Sequence, residues 1–285
     1  MANNEVRIDA LLPAEMARRA EYLGVRKAET AAFTLFALSI LAGAFIALGA
    51  IFATTVTAGT ASAWPYGVTR LLAGMVFCLG LILVIVGGAE LFTGNNLIVM
   101  AWASRKVSTR NLLRNWAIVY LGNFIGSIGT AVLVFFSQQY KFGGGAIGQT
   151  ALSIANTKAN LEFGQALALG ILCNAMVCLA VWMTYSARST IDKIAAIIFP
   201  IAGFVAAGFE HSIANMYFIP IGLMIKYYDP AFTLKVIAET GIKLEGLTWS
   251  AFLVNNLLPV TIGNVIGGAL LVAAVYWSVF LRQRE

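Results

Sequence analysis

Charged side chains are scarce in this sequence. Asp, Glu, Lys and Arg together make up 11% of its 285 residues, whereas 60% of the residues are hydrophobic. A soluble globular domain covers its surface with charged and polar groups, so this composition excludes an ordinary soluble domain. A mean hydropathy of +0.83 and long uncharged runs instead make a lipid bilayer the natural solvent of the chain.

Cysteine and histidine are equally sparse, which limits the chemistry that the chain can perform. Cys78, Cys173 and Cys178 lie inside apolar runs without metal-binding or redox spacing, so we interpret them as packing residues. His211 is the only histidine, and no pair of nucleophile and base is recognisable. The sequence therefore predicts neither a metal site nor a cofactor, and it argues against a membrane-embedded enzyme.

Basic residues outnumber acidic ones, and the net charge is +6. In a membrane protein this excess marks topology, because Lys and Arg concentrate beside spans on the cytoplasmic side, and no nucleic-acid partner is predicted. Residues 1–30 carry charges throughout and lack an apolar segment that ends in a small-residue cleavage site. The first span is therefore expected to remain as a membrane anchor.

Uncharged runs divide the chain into six predicted spans. Four of the runs each accommodate one helix, and they cover residues 31–51, 115–140, 163–187 and 246–281. In the last run, Asn255, Asn256 and Pro259 predict an irregular or bent start to the helix.

Two further runs are too long for one straight helix. Residues 71–104 contain Glu90 as their only charge, and residues 194–225 contain only Glu210. Each run would reach roughly 50 Å as a helix, against a hydrocarbon core of about 30 Å, yet neither is long enough for two spans. Spans 2 and 5 are therefore predicted to be broken by polar loops, which read GGAELFTGNN and GFEHSIAN.

The distribution of Lys and Arg predicts the orientation. With six spans, both termini share one side of the membrane. That side carries Arg7, Arg18, Arg19, Arg26, Lys27, Arg105, Lys106, Arg110, Arg114, Arg188, Lys193, Arg282 and Arg284, and the other side carries Arg70, Lys141, Lys158, Lys226, Lys235 and Lys243. The excess places both termini in the cytoplasm and the protein in an inner membrane of bacterial type.

The two halves of the chain share an inverted repeat. Glu90 precedes Asn95 by five residues, as Glu210 precedes Asn215, and the motif GNFIG at 122–126 returns as GNVIG in the last span. The second motif lies farther from its broken span than the first, which we interpret as a longer loop over residues 227–245. Because each half has three spans, the second copy enters from the opposite face, and broken helices in such repeats meet at the bilayer midplane. The rival interpretation is chance matching of common Gly and Asn residues. We interpret the paired glycines as helix-packing positions.

Ionisable residues at mid-membrane depth are the candidates for function. His211 can exchange a proton near neutral pH, or it can serve only as a structural hydrogen-bonding group. Glu90 and Glu210 are interpreted first as acceptors for N–H groups that the breaks release, and otherwise as members of a proton relay. Thr93 supplies a hydroxyl in the first break, and it can meet the same solute as His211 if the breaks face each other.

A short amphipathic helix is predicted at residues 12–23, with Pro13 in its first turn and Gly24 as its stop. It either lies on the membrane surface or caps the cytoplasmic mouth of a pore. We therefore expect a cytoplasmic helix within residues 1–28, a six-span domain over residues 29–282 and a cytoplasmic tail at residues 283–285.

Several long motifs resemble the formate/nitrite transporter family. They are LLPAEMA (11–17), GGAELFTGNN (87–96), NAMVCLAVWM (174–183), GFEHSIANM (208–216) and PVTIGNVIGG (259–268). The resemblance extends from about residue 8 to the C-terminus, and its N-terminal segment is similar to the formate-channel branch. It implies an all-α, aquaporin-like fold of six spans that assembles as a homopentamer in the lipid bilayer, with one pore in each protomer.

The resemblance also implies roles for particular residues. The residues expected to meet the substrate are Thr93, His211, Asn174 and the periplasmic-side Lys158. The residues expected to form apolar constrictions are Phe77, Leu81, Leu91, Val177 and Phe204, with Phe77 and Phe204 above and below a small central chamber. The structural residues expected in the breaks are Glu90, Asn95, Glu210 and Asn215.

The implied substrate is formate, or another small monovalent anion such as nitrite, hydrosulfide or another small monocarboxylate. Transport is either passive or coupled to a proton through His211. A neutral-solute channel of the water or glycerol type is the second transport hypothesis, although the paired Asn-Pro-Ala loop ends of such channels are absent.

Overall fold

Long apolar helices dominate the architecture. The computed structural model describes residues 10–60 and 63–282, and its regular elements in these ranges are all helical. They are α1 (Pro13–Glu29), α2 (Ala32–Thr57), α3 (Tyr66–Gly87), α4 (Val99–Ala103), α5 (Thr109–Phe136), α6 (Ala146–Ala159), α7 (Phe163–Thr184), α8 (Thr190–Ala206), α9 (Ser212–Tyr228), α10 (Pro230–Thr240) and α11 (Ala251–Phe280), with short 3₁₀ turns at Gly94–Ile98, Gln139–Lys141 and Gly143–Gly145.

Five helices within the described ranges are long and apolar enough to cross a membrane by length and composition, namely α2, α3, α5, α7 and α11. The predicted fifth span is divided between α8 and α9, which have 17 residues each. The predicted second span is divided between α3 and the shorter α4. The all-α architecture with two interrupted helices is thus confirmed.

Each interruption begins at a glycine whose backbone lies in the left-handed region. Gly88 follows the end of α3 with φ +74°, and Gly208 follows the end of α8 with φ +78°. A side chain is disfavoured in this conformation, whereas glycine adopts it without a steric penalty. The chain then returns to helix through the 3₁₀ turn Gly94–Ile98 on one side and at Ser212 on the other.

The inverted repeat includes one more helix in each half than the sequence predicted. α1 packs against the 3₁₀ turn and α4, which follow the first break, and α6 packs against α9, which follows the second. Lys27 near the end of α1 corresponds to Lys158 near the end of α6. Each half therefore consists of a docking helix, a straight span, a broken span and a second straight span.

Close backbone approach joins the straight spans of each half. A Cβ atom added at Gly126 of α5 would overlap the carbonyl oxygen of Ile40 on α2, and one at Gly267 of α11 would overlap that of Ile171 on α7. Small residues permit such contact between helices in a bilayer. The interpretation of these glycines as packing positions is confirmed.

The start of the last span is irregular, as Asn255, Asn256 and Pro259 predicted. The segment Ala251–Leu257 is π-helical, and a second π-helical stretch covers Ile266–Ala274. Such stretches shift the faces that side chains present, and they are frequent at functional sites. Here the first stretch brings Asn256 to the second break, as described below.

Two details of the sequence interpretation were wrong. Gly24 does not end the N-terminal helix, which continues to Glu29; a Cβ atom at Gly24 would lie 3.0 Å from the Cβ atom of Ala101, so this glycine permits close packing against α4. Residues 227–245, interpreted as a longer loop, contain α10. Residues 1–9 and the expected tail at 283–285, with Arg7 and Arg284, lie outside the described residues.

We predict that Gly126→Leu destabilises the protein by about 1–3 kcal/mol or more, because the backbone of α2 cannot move away from the new side chain without separating the spans. Gly129→Leu on the same helix is the matched control, since Gly129 is exposed and nothing lies within 4 Å of an added Cβ atom there. Thermal unfolding in detergent measures the difference. Equal midpoints for the two variants would contradict the close contact.

Candidate functional site

The two breaks meet at a hydroxyl and an imidazole. The Thr93 Oγ1 atom lies 3.0 Å from the Nε2 atom of His211, and both side chains are buried. His211 also caps α9, because its Nδ1 atom accepts a hydrogen bond of 3.1 Å from the backbone N–H of Ala214. The structure therefore brings together the two residues whose proximity the sequence left open.

This cap determines the tautomer of a neutral His211. A nitrogen that accepts a hydrogen bond from a backbone N–H cannot carry a proton, so the proton of the ring lies on Nε2 and is donated to Thr93 Oγ1. The hydroxyl proton of Thr93 then remains free for another acceptor. An imidazolium would place two donors, Nδ1–H and the N–H of Ala214, against each other.

Asn123 holds the first break. Its Oδ1 atom accepts a hydrogen bond of 2.9 Å from the N–H of Phe92, and its Nδ2 atom donates to the carbonyl oxygens of Glu90, at 2.9 Å, and Ser39, at 2.8 Å. One amide thus satisfies both an N–H and a C=O group released by the break. Unsatisfied backbone groups are costly in a bilayer, so this residue stabilises the irregular loop.

Asn264 holds the second break in the same way. Its Oδ1 atom accepts from the N–H of Ser212 at 2.9 Å, and its Nδ2 atom donates to the carbonyl oxygens of Glu210, at 3.0 Å, and Gly170, at 2.8 Å. The sequence interpretation missed both asparagines, although the motifs GNFIG and GNVIG contain them. Their equivalent positions in the two halves of the repeat are the signal that could have identified them.

The sequence interpretation expected the carboxylate of Glu90 to bind N–H groups of the break, but the partners of this carboxylate are side chains. It accepts hydrogen bonds of 2.8 Å from Lys27 Nζ and from Asn95 Nδ2. Asn95 Nδ2 also donates to Asn115 Oδ1 at 3.0 Å, and Asn115 Nδ2 donates to the carbonyl oxygen of Lys27 at 2.9 Å. These four side chains close a ring that ties α1 and α5 to the first break.

An equivalent ring surrounds Glu210. Lys158 Nζ and Asn215 Nδ2 each donate to its carboxylate at 2.7 Å, Asn215 Nδ2 donates to Asn256 Oδ1 at 2.7 Å, and Asn256 Nδ2 donates to the carbonyl oxygen of Lys158 at 2.9 Å. The π-helical start of α11 positions Asn256. Lys158 was expected to meet the substrate on the periplasmic side; in the structure its side chain is 16% exposed and its charge faces Glu210.

Apolar side chains flank the Thr93–His211 pair. The rings of Phe77 and Phe204 are in edge-to-face contact with centroids 5.9 Å apart, and the ring of Phe204 stacks at 6.0 Å on the imidazole of His211. The two rings therefore touch, and no chamber separates them. The expectation that they stand above and below a central chamber was wrong, because α3 and α8, which carry them, pack side by side.

Asn174 and Val177 lie on α7, one turn apart and fully buried. The Nδ2 atom of Asn174 donates to the carbonyl oxygen of Thr93 at 3.3 Å and to that of Asn264 at 2.6 Å. Asn174 was expected to meet the substrate; in this structure its amide positions the backbone that carries the Thr93 hydroxyl.

A vestibule of about 820 Å³ opens on the face that carries α1. Leu81 and Leu91 line it, whereas Thr93 and His211 do not. The described side chains that line it and carry charge are Arg19, Arg26, Lys27, Glu29, Glu90 and Lys193. Cations predominate, so the vestibule favours anions. Because α1 supplies three of these cations, it covers the pore mouth, which favours the second of the two interpretations of this helix.

Arg70 stabilises the end of α8 just before the second break. Its guanidinium donates from Nε to the carbonyl oxygen of Ala206 at 3.4 Å and from Nη2 to that of Val205. These carbonyls are among the last of the helix, and that of Val205 also accepts a hydrogen bond of 3.1 Å from the N–H of Gly208. The sequence interpretation used Arg70 only as a marker of topology.

Two polar breaks that meet in the interior, beside apolar rings and below a basic vestibule, define a membrane protein for solute transport rather than an enzyme. A family model described as "Formate/nitrite transporter" matches residues 14–278, and the chain belongs to this family. The chain is 44% identical over 277 residues to "Formate channel FocA" of Escherichia coli (strain K12), covering 97% of both chains.

Two further comparisons agree with this assignment. The chain is 41% identical over 268 residues to "Formate channel FocA" of Haemophilus influenzae, covering 94% of both chains. Among solved structures, it is similar to "Pentameric formate channel with formate bound", with 46% identity, a TM-score of 0.81, and coverage of 88% of this chain and 98% of that one.

We predict that Lys158→Met destabilises the protein by about 3–5 kcal/mol, because it leaves the carboxylate of Glu210 buried without its cation. Lys235→Met is the matched control. Lys235 pairs with Glu239 at 3.8 Å with both side chains more than half exposed, so its loss changes stability by about 1 kcal/mol or less. Thermal unfolding of both variants checks the prediction, and a small effect of Lys158→Met would refute a structural role for the pair.

Proposed function

We propose that this protein is a channel for formate and similar small monovalent anions. The observation that carries the proposal is the pair of polar groups, Thr93 Oγ1 and His211 Nε2, held 3.0 Å apart where the two breaks meet. The relatives named as formate channels and the similar pentameric formate channel support formate as the substrate and a homopentamer as the assembly.

The geometry suits a small anion with two oxygen atoms. The basic vestibule raises the local concentration of anions, and we propose that Leu81 and Leu91, which line it, remove water from them. A desolvated anion is costly at this depth. Hydrogen bonds from the Thr93 hydroxyl and the His211 Nε2–H offset that cost, since a charged acceptor strengthens such bonds. The aromatic rings at Phe77 and Phe204 then form the next apolar barrier.

The pH dependence of transport is part of the proposal. Formate is an anion at neutral pH, because carboxyl groups titrate near ~4. Charging His211 requires its Nδ1 cap on Ala214 to break, so proton transfer to the substrate involves a local rearrangement at the start of α9. We propose that acidic medium drives this rearrangement and moves formate with a proton, whereas at neutral pH the anion moves alone.

We further propose that both termini lie in the cytoplasm, in an inner membrane of bacterial type. The excess of Lys and Arg on the face that carries α1 supports this orientation. The proposed domain boundaries follow from it, with a cytoplasmic helix within residues 1–28 and the channel domain over 29–282. In the described part of the chain, α1 ends at Glu29, close to that boundary.

We predict that Thr93→Val lowers formate flux about tenfold to a hundredfold, because it removes one hydrogen bond to a charged solute, of about 1.5–3 kcal/mol, at constant side-chain volume. Thr93→Ser keeps the hydroxyl and retains most of the flux. Uptake by proteoliposomes that contain the pure protein measures both. The same vesicles, loaded with nitrite, hydrosulfide or glycerol, rank the alternative substrates, and a preference for glycerol over formate would overturn the anion proposal.

We predict that His211→Asn abolishes the pH dependence of formate flux while the assembly persists. Asparagine retains a hydrogen-bonding side chain at the helix cap but cannot carry a proton. Proton flux recorded beside formate flux at acidic and neutral pH tests this. Formate entry without proton entry at low pH in the native protein, corrected for leak of the free acid, would leave the passive channel as the only mechanism.

A further inference from the structure

A second cavity lies outside the pore, at the turn that joins α4 to α5. It has a volume of about 560 Å³ and opens on the same face as the vestibule. Its walls include Trp102 at the end of α4, Trp277 near the end of α11, and Arg105, Ser108 and Thr109 of the turn. Two segments that are distant in sequence, residues 102–109 and the end of α11, therefore build it together.

Both indole rings are held in set orientations. Trp102 Nε1 donates to Thr109 Oγ1 at 3.0 Å, and Trp277 Nε1 donates to Ser104 Oγ at 3.0 Å. Because each N–H group is used inside the protein, the rings present apolar surface to the cavity. Tryptophan side chains are enriched at the boundary between lipid and water, which is where a polar turn between two membrane-embedded helices lies.

The cavity carries unneutralised positive charge. Arg105 lines it, and its guanidinium has no partner among the described residues. Its backbone is left-handed, with φ +61°, and the turn is closed by a hydrogen bond of 2.9 Å from its N–H to the carbonyl oxygen of Trp102. The neighbouring Lys106 is paired with Glu21, and the residues that line the cavity include no Asp or Glu.

An exposed apolar stripe leads from the cavity along α5. Thr109 lines the cavity, and every fourth residue after it, Leu113, Ala117 and Leu121, is exposed; residues four apart lie on one face of a helix. The fractional exposures of Leu113 and Leu121 are 55% and 54%. An occupant that matches both features has an anionic head at the turn and a hydrocarbon tail along the helix.

We propose that this cavity binds an anionic phospholipid. Arg105 binds the phosphate oxygens, since a guanidinium matches this group with two parallel hydrogen bonds. The N–H groups of Thr109 and Arg110, in the first turn of α5, add donors, whereas that of Asn111 already donates to Ser108 Oγ at 3.1 Å. Trp102 and Trp277 pack against the glycerol backbone, and one acyl chain follows the stripe on α5. A free phosphate shares the head chemistry but lacks the tail.

The test compares the retention of two lipids by the assembled protein. Detergent-solubilised protein is exposed to phosphatidylglycerol or phosphatidylcholine of equal chain length, and bound lipid is counted by native mass spectrometry. We expect about tenfold preference for phosphatidylglycerol, the ratio that one charge-assisted contact provides. Arg105→Asn removes the charge with a residue that tolerates the left-handed backbone, and it is expected to reduce retention to the phosphatidylcholine level.

Two further variants test whether the lipid preference depends on the charge of Arg105. Arg105→Gly also keeps the left-handed backbone, so it repeats the loss of preference even if the asparagine variant folds poorly. Lys243→Asn removes an exposed cation that follows α10, on the opposite face, and is expected to leave the preference unchanged. Equal retention of the two lipids by the native protein, or an unchanged preference in both Arg105 variants, would overturn the proposal.

A competition experiment distinguishes a site for a phospholipid headgroup from a site for free phosphate. Inorganic phosphate at the concentration of the lipid is expected to displace little phosphatidylglycerol, because it gains nothing from the apolar stripe. Complete displacement would indicate a site for a free anion and would overturn the lipid assignment. A photoreactive group attached at Trp102→Cys that cross-links chiefly to a neighbouring protomer would show that a second copy of the chain covers the cavity, with the same consequence.

Discussion

Backbone groups that leave a helix inside a bilayer must find partners within the protein, and this requirement organises the structure. Each break releases N–H and C=O groups at a depth where water is absent. The amides of Asn123 and Asn264 supply a donor and an acceptor at once, in the same pattern on both sides. Asn123 and Asn264 thereby replace the missing helical hydrogen bonds and stabilise the irregular backbone that carries Thr93 and His211.

A second layer of polar contacts ties each break to its surroundings. The rings around Glu90 and Glu210 have the same composition, a lysine, a glutamate and two asparagines, and each joins a docking helix to a straight span. A buried ion pair is weak evidence for stability by itself, because desolvation of its charges is costly. Here the added amide contacts satisfy the remaining groups, so the pairs hold α1 and α6 in register with the breaks.

The sequence alone predicted the two breaks and the inverted repeat. Runs too long for one span and too short for two predict interruption, and glycines at positions 88 and 208 make the turns possible. The sequence did not predict the partners of the Glu90 and Glu210 carboxylates. Lys27, the partner of Glu90, belongs to a helix that we interpreted as a separate cytoplasmic segment. Nor did the sequence predict that Phe77 and Phe204 touch, since the relative height of two helices depends on packing across the whole half.

The same limit explains why Asn123 and Asn264 were missed and why Asn174 was expected to meet the substrate. An asparagine in an apolar run signals a buried hydrogen bond, but its partner is a backbone group that no sequence pattern reveals. The repeat offered the only indication, because a residue that returns at the matched position in both halves is expected to serve both breaks.

The central claim is that a small anion is bound by the hydroxyl of Thr93 and the imidazole of His211 where the breaks meet. An experimental structure of the protein in lipid nanodiscs with formate tests it most directly. The account predicts formate density within hydrogen-bond distance of Thr93 Oγ1 and His211 Nε2, with the amides of Asn123 and Asn264 still bound to the break loops. Formate found only in the vestibule, with the Thr93–His211 contact inaccessible to it, would contradict the account.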